Sequence, residues 1–171
     1  SYMFAKDIGI DLGTANVLIY IKGQGIVLNE PSIVAIDSDS KKILAVGHQA
    51  REMLGRTPGK VQAIRPMKDG VIANFDMVES LLDCFLKKIK IGSKLTKPRI
   101  LICCPSNITE VEKNAIKEAA ERTGARKVFL EEEPKVGSSW SYKFTGIFGY
   151  RFYYRYNKWL CSSYFSIFWC G

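Results

Sequence analysis

Six residues near the start of the chain, Asp11-Leu12-Gly13-Thr14-Ala15-Asn16, have the types and spacing that phosphate chemistry needs. They follow Ile8-Gly9-Ile10, which reads as a short strand. A glycine-containing turn between two strands exposes backbone N–H groups that can cradle phosphate oxygens. The Thr14 hydroxyl and the Asn16 amide add donors. Asp11, at the strand end, can hold waters of a phosphate-bound Mg2+, an ion that keeps much of its hydration shell. The same six residues also suit a plain β-hairpin, since Asp and Gly are common turn residues, and taken alone they leave both readings open. They are neither the G-x-x-x-x-G-K-S/T loop nor a G-x-G-x-x-G opening a helix. Gly23-Gln24-Gly25 begins like the latter, but no helix follows, and it reads as a hairpin turn.

A second cluster, Glu131-Glu132-Glu133-Pro134, follows an apolar run ending at Leu130. A carboxylate there could orient a water for attack on a terminal phosphate, although an acidic triplet before a proline is more often a solvated loop. His48 is the only histidine and has no nucleophile or metal spacing around it. The five cysteines form no C-x-x-C pair, and Cys103-Cys104 sit in an apolar run, a pattern that suits reduced thiols in a cytosol better than disulfides or zinc.

These residues must be held by regular elements. Strands are expected over Ile8–Asp11, Val17–Ile21, Ile26–Leu28, Ser32–Ile36 and Ile43–Val46, with a short helix over Gly47–Leu54. A helix capped by Asp76, with Glu79 completing a capping box, has an apolar face of Met77, Val78, Leu81, Leu82, Phe85, Leu86 and Ile89, and Gly92 can end it. A second helix, capped by Thr109 with Glu112, buries a stripe of Val111, Ala115, Ile116, Ala119 and Ala120 and stops at Gly124. Arg99–Cys104 is a continuous apolar run, as in a strand covered on both faces, and Lys127–Leu130 is the next such strand. A β-meander followed by alternating helices and strands implies an α/β fold with helices on a mixed sheet.

The 171 residues allow one domain with a sizeable core, and no apolar run reaches the roughly 18 residues that span a bilayer. The start lacks a charged leader before a long apolar stretch, so no signal peptide is expected; a natural start falls at Met3, with Ser1-Tyr2 as vector sequence or upstream read-through. The net charge is +8. From Val136 onward stand Lys143, Arg151, Arg155 and Lys158 with no acid; the remaining surplus is interleaved with Asp and Glu and reads as a diffuse solvated surface. Fourteen aromatic residues crowd the last 36 positions, where neither strand alternation nor helix spacing is evident, so the tail is expected not to fold on its own. Aromatic residues interleaved with arginine keep open a membrane or single-strand nucleic-acid binding reading for this tail.

Three stretches together carry a resemblance. Lys6 to Asn16, then Asn29-Glu30-Pro31-Ser32, then Ala63 to Ala73 are similar to the MreB branch of the MreB/Mbl family of bacterial actin homologues. Met3-Phe4-Ala5, Ile102 to Thr109 and Glu131 to Val136 resemble its Mbl branch. The resemblance implies an actin-like ATPase fold (ribonuclease H-like), represented by its first half. It implies residues 1–136 as an N-terminal lobe, a small outer subdomain at about 33–65 contacting the next subunit in a filament, and a non-family tail at 137–171. Asp11 to Asn16 would be the first phosphate loop for ATP and Mg2+, and Glu133 would position the hydrolytic water. Residues 91–96 match a loop that in relatives inserts apolar side chains into membrane; here only Ile91 and Leu95 are apolar. The implied function is a nucleotide-dependent cytoskeletal filament that maintains rod cell shape by guiding wall elongation. Implied partners are further copies of the chain, the inner face of the cytoplasmic membrane and elongation proteins of the MreC, MreD and RodZ type, with no nucleic acid. The implied place is the cytoplasm of a bacterium, at its membrane. A sugar kinase or chaperone-type ATPase of the same superfamily is the alternative.

The family continues past Pro134-Lys135-Val136 with Ala-Ala-Ile-Gly and later a second phosphate loop; neither follows here. Gly137-Ser138-Ser139-Trp140-Ser141 can be encoded GGC-AGC-AGT-TGG-AGC, and dropping the first base yields Ala-Ala-Val-Gly. A shifted reading frame is therefore expected for the tail.

Overall fold

The computed structural model describes residues 6–56, 59–90, 97–105 and 107–132, and the backbone of four strands between Tyr142 and Trp169. The chain divides into two compact units, Ser1–Glu133 and Pro134–Gly171.

The first unit opens with strands β1 (Asp7–Leu12), β2 (Asn16–Ile21) and β3 (Gly25–Pro31). Strands β4 (Val34–Asp37) and β5 (Ile43–Val46), helix α1 (Gly47–Arg56) and strand β6 (Val61–Ile64) follow. Two-residue strands β7 (Met67–Lys68) and β8 (Val71–Ile72) lead into helix α2 (Phe75–Lys88). Strand β9 (Arg99–Cys104), helix α3 (Glu110–Arg122) and strand β10 (Lys127–Glu132) complete the unit.

Five strands make one sheet in the order β10-β9-β1-β2-β3. β1, β9 and β10 run parallel, while β1, β2 and β3 form an antiparallel meander. This is the mixed sheet that the apolar runs imply. Its core joins Ile8, Ile10, Ile100 and Ile102 of the sheet to Leu81, Leu82, Phe85 and Leu86 of α2 and to Ile116 of α3. Each such side chain, when fully buried, stabilises the fold by about 1.5–3 kcal/mol. A second sheet, β5-β4-β6, with α1 against it, has its own small core around Ile33, Ala35 and Ala50.

Local chemistry explains where the elements differ from expectation. Helix α2 is capped by Asn74, not Asp76: Asn74 is extended and its Oδ1 accepts from the Met77 N–H at 3.1 Å. Asp76 instead lies in the first turn, where a carboxylate favours the helix dipole, and Glu79 pairs with Arg122 of α3. The helix ends at Ile89 and Lys90, the latter at φ +49°; Gly92 lies outside the described residues. The capping box of α3, Thr109 with Glu112, forms as expected. Val111 does not join the buried stripe. It is 79% exposed, because five residues at about 100° each set it roughly 140° round the helix from Ile116. The expected strand over Ser32–Ile36 begins only at Val34, since Ile33 N–H turns back to the Pro31 carbonyl at 2.8 Å. Strands β7 and β8, two residues each, are too short for periodicity to reveal, and β6 lies in a stretch for which no strand is expected.

The second unit contains strands β11 (Tyr142–Thr145), β12 (Tyr150–Arg155), β13 (Lys158–Ser163) and β14 (Ser166–Trp169), paired in that order as an antiparallel meander. The sequence reading expects no regular elements there. Aromatic residues favour pleated strands, and this preference, rather than a clean alternation, accounts for the difference.

Candidate functional site

The turn between β1 and β2 is shaped by what surrounds it. The last pair of the two strands is Leu12 opposite Val17, so Gly13 to Asn16 make the bend. A Cβ on Gly13 would stand 2.6 Å from the Asn16 carbonyl oxygen, which no side chain tolerates. Ser32, fully buried, clamps the bend from one side. Its Oγ donates to the Gly13 carbonyl at 2.7 Å, and its N–H donates to the Ala15 carbonyl at 2.9 Å. Two acceptors that would repel a phosphate are thereby occupied. From another side, the Gly70 N–H donates to Thr14 Oγ1 at 3.0 Å. Gly70 and Asp69 both have positive φ, in the tight turn between β7 and β8. Accepting that bond leaves the Thr14 hydroxyl hydrogen to donate to a ligand. Asn16 spends one amide hydrogen on Asn29 Oδ1 at 3.1 Å, which fixes its side chain beside the bend.

Asp11 sits one residue before Leu12, buried to 9% exposure, opposite Leu18 on one side and Cys103 on the other. Cys103 in turn pairs with Glu131. Asp11, Cys103 and Glu131 thus form one row across the C-terminal ends of three parallel strands, with Asp11 and Glu131 about 10 Å apart across two strand spacings. The C-terminal ends of parallel strands are where open α/β sheets bind ligands.

The acidic cluster has its own electrostatics. Burial, reinforced by neighbouring Glu132, pushes the Glu131 carboxyl above its ordinary range, with Lys113 opposing. Lys113 lies 2.9 Å from Glu110 and 2.8 Å from Glu132, and the hydrogen bonds it donates to these carboxylates raise its own pKa. Cys104 Sγ donates to the Glu131 carbonyl at 3.3 Å, tying β10 to β9. Glu133 lies outside the described residues, as do Ile91 and Leu95.

Among the described residues no group of three or more His, Cys, Asp or Glu could hold a metal by itself. A buried carboxylate beside a phosphate-sized bend fits a Mg2+ that is held mainly by nucleotide oxygens and water. Ser32 and Gly70 complete the site without belonging to any chemical motif in the sequence. Their only advance signal was their place in the stretches that carry the family resemblance. A cleft of about 370 Å3 beside β3, lined by Leu28, Glu30, His48 and Lys88 among others, includes none of the bend's residues from Gly13 to Asn16.

A five-stranded mixed sheet with this bend at the end of its first strand defines the first lobe of an actin-like protein. The MamK double helical filament shares the fold, with a TM-score of 0.61 at 19% identity over 87% of this chain and 49% of that one. Residues 5–138 match the profile of the MreB/Mbl protein family, and the chain belongs to that family. It is 66% identical over 136 residues to the cell shape-determining protein Mbl of Bacillus cereus, covering 80% of this chain and 41% of that protein. MreB5 of Spiroplasma citri, solved bound to ADP and to AMPPNP, superposes with a TM-score of 0.61 at 31% identity, covering 95% of this chain and 50% of that one. The chain therefore spans about two fifths to one half of the length of these relatives.

Proposed function

We propose that this chain carries the first phosphate loop of a nucleotide-dependent, filament-forming protein that maintains rod cell shape. The observation that carries this reading is the bend at Gly13, which has no room for a side chain and is held by Ser32 and Gly70 next to a buried carboxylate. Backbone N–H groups of Gly13 to Asn16, with the Thr14 hydroxyl, would hold the phosphates of ATP. Asp11 would hold Mg2+ through water. Bound there, the ion would neutralise charge building on the phosphate oxygens. Glu133 would orient the attacking water. Support comes from the relatives bound to ADP and AMPPNP, and from the filament that a protein of the same fold forms. Further copies of the chain, the inner face of the cytoplasmic membrane, and elongation proteins of the MreC, MreD and RodZ type are the partners this reading calls for, in the cytoplasm at its membrane.

One hairpin is only part of a triphosphate clamp, so this chain alone should bind Mg-ATP more weakly than micromolar. Calorimetry on a version extended to the relatives' full length is the test. It should show saturable Mg-ATP binding, weakened about tenfold or more by Gly13→Ala, since a hydrogen bond to a charged group contributes 1.5–3 kcal/mol. An extended protein that ignores Mg-ATP, or a Gly13→Ala variant that binds it equally well, would refute the reading.

A further inference from the structure

Helix α3 opens with the residues a helix start prefers, save one. Glu110 and Glu112 stand in its first turn, where carboxylates suit the positive end of the helix dipole. Lys113 follows at once, its N–H donating to the Thr109 carbonyl at 2.9 Å. A cation so near this end opposes the dipole. Its local partner, Glu110, lies three residues back with its carboxylate 2.9 Å away and its side chain 81% exposed. A pair with so open a carboxylate offsets little of that cost. The other partner comes from a different element: Lys113 Nζ lies 2.8 Å from Glu132 Oε1 on β10. The lysine side chain, 25% exposed, is the better covered member of both pairs.

Glu132 is the last residue of β10, and Glu133 is the next in the chain. The end of this strand is held twice. Cys104, opposite Glu132 in the register, donates from Sγ to the Glu131 carbonyl at 3.3 Å and so ties the backbone to β9. Lys113 ties the Glu132 side chain to α3. With Glu132 itself 44% exposed, this pair adds little to stability. Its value is in charge and placement. Three successive carboxylates, Glu131 to Glu133, repel one another, and a cation against the middle one offsets that repulsion. Lys113 already opposes the upward push on the Glu131 carboxyl. Placement matters to a reaction far more than to a fold, since a displacement of about 1 Å can slow chemistry about 100-fold.

We propose that Lys113 is a positioning residue for nucleotide hydrolysis: by pairing with Glu132 it fixes the end of β10 from which Glu133 follows. It acts through Glu132 and touches neither nucleotide nor water, so the grip on Mg-ATP stays with the Gly13 bend. The inference rests on the water-orienting role proposed above for Glu133, and adds the group that steadies the strand leading to that carboxylate.

ATP hydrolysis by a version extended to the relatives' full length tests it, with turnover referred to the polymer recovered by sedimentation and Mg-ATP affinity measured by calorimetry. Lys113→Gln should lower turnover about tenfold while the affinity for Mg-ATP stays within about twofold. Lys113→Arg, which can still reach both carboxylates, should restore most of the rate. Lys117→Gln, which removes an exposed charge one turn further along α3, should hydrolyse like the parent. Glu132→Gln gives a second route to the same loss should Lys113→Gln fold poorly. The double variant K113Q/E132Q should be no slower than either single one, because both remove one interaction. Losses that multiply to about 100-fold would show that Lys113 does not act through Glu132, and would overturn the proposal. So would a Lys113→Gln variant whose Mg-ATP binding falls in step with its rate. If Lys113→Gln and Glu132→Gln keep the parent rate while Glu133→Ala is slow, the proposal fails and the role of Glu133 stands. If Glu133→Ala also keeps the parent rate, both fail.

Discussion

Glycine and carboxylate positions carry most of the fine geometry. Gly47 opens α1 at φ +64°, and a Cβ there would lie 2.1 Å from Glu30 Oε2 and 3.0 Å from the Phe85 ring. That vacancy lets the Glu30 carboxylate, 6% exposed, accept from the His48 N–H at 3.0 Å and pair with Lys88. One side chain thus links β3, α1 and α2. Glu131 sits in a different setting. Burial first, and Glu132 second, raise its pKa above the ordinary 4.5. An acid that holds its proton more tightly when folded adds no penalty below the ordinary value. It costs stability as pH rises through that value and the higher folded one. Glu131→Gln should therefore recover stability at about pH 7 relative to pH 4, a gain kept small by the partial exposure of the group. Chemical denaturation of both proteins across that range is the check, and parallel pH profiles would contradict it.

At the level of elements, the α3 capping box shows how local sequence terminates a helix. Thr109 Oγ1 accepts from the Glu112 N–H at 3.2 Å, and Glu112 Oε2 accepts from the Thr109 N–H at 2.9 Å. Both bonds are exposed, so neither is amplified by burial. Thr109→Ala should cost about 1 kcal/mol, as N-cap replacements do, measured as a lower denaturant midpoint with an unchanged slope. A loss above about 3 kcal/mol would mean that Thr109 has a tertiary role as well. Helix α2 offers the contrast. Its cap at Asn74 and its end at Lys90 depend on backbone conformations, extended and left-handed, that a reading of Asp76 and Gly92 did not capture.

For the whole molecule, the tail poses the sharpest question. The family match ends at residue 138, near the division of the chain at Pro134. We propose that the residues beyond it are read in a shifted frame. Sequencing the source DNA should show the family's continuation in another frame within a few codons of Gly137. Independent reads with an unbroken frame and no such continuation would remove the idea.

Much of the first unit was legible beforehand because its signals are local. Apolar runs such as Arg99–Cys104 suit strands covered on both faces, and Thr109 with Glu112 states its own cap. The Asp11 to Asn16 pattern marked a phosphate-sized turn, and longer stretches tied it to a family. Other features depend on which distant residues meet. The clamp on the bend needs Ser32, 19 residues away, and Gly70, 56 residues beyond Thr14. Val111 could be placed in a stripe by spacing, yet only packing decides which part of a helix faces the sheet. The charge surplus looked diffuse along the chain, since Lys6, Lys22, Lys97 and Arg126 are far apart in sequence. Parallel pairing of β1, β9 and β10 brings them to one edge, because strand register converts separations of many residues into steps of about 5 Å.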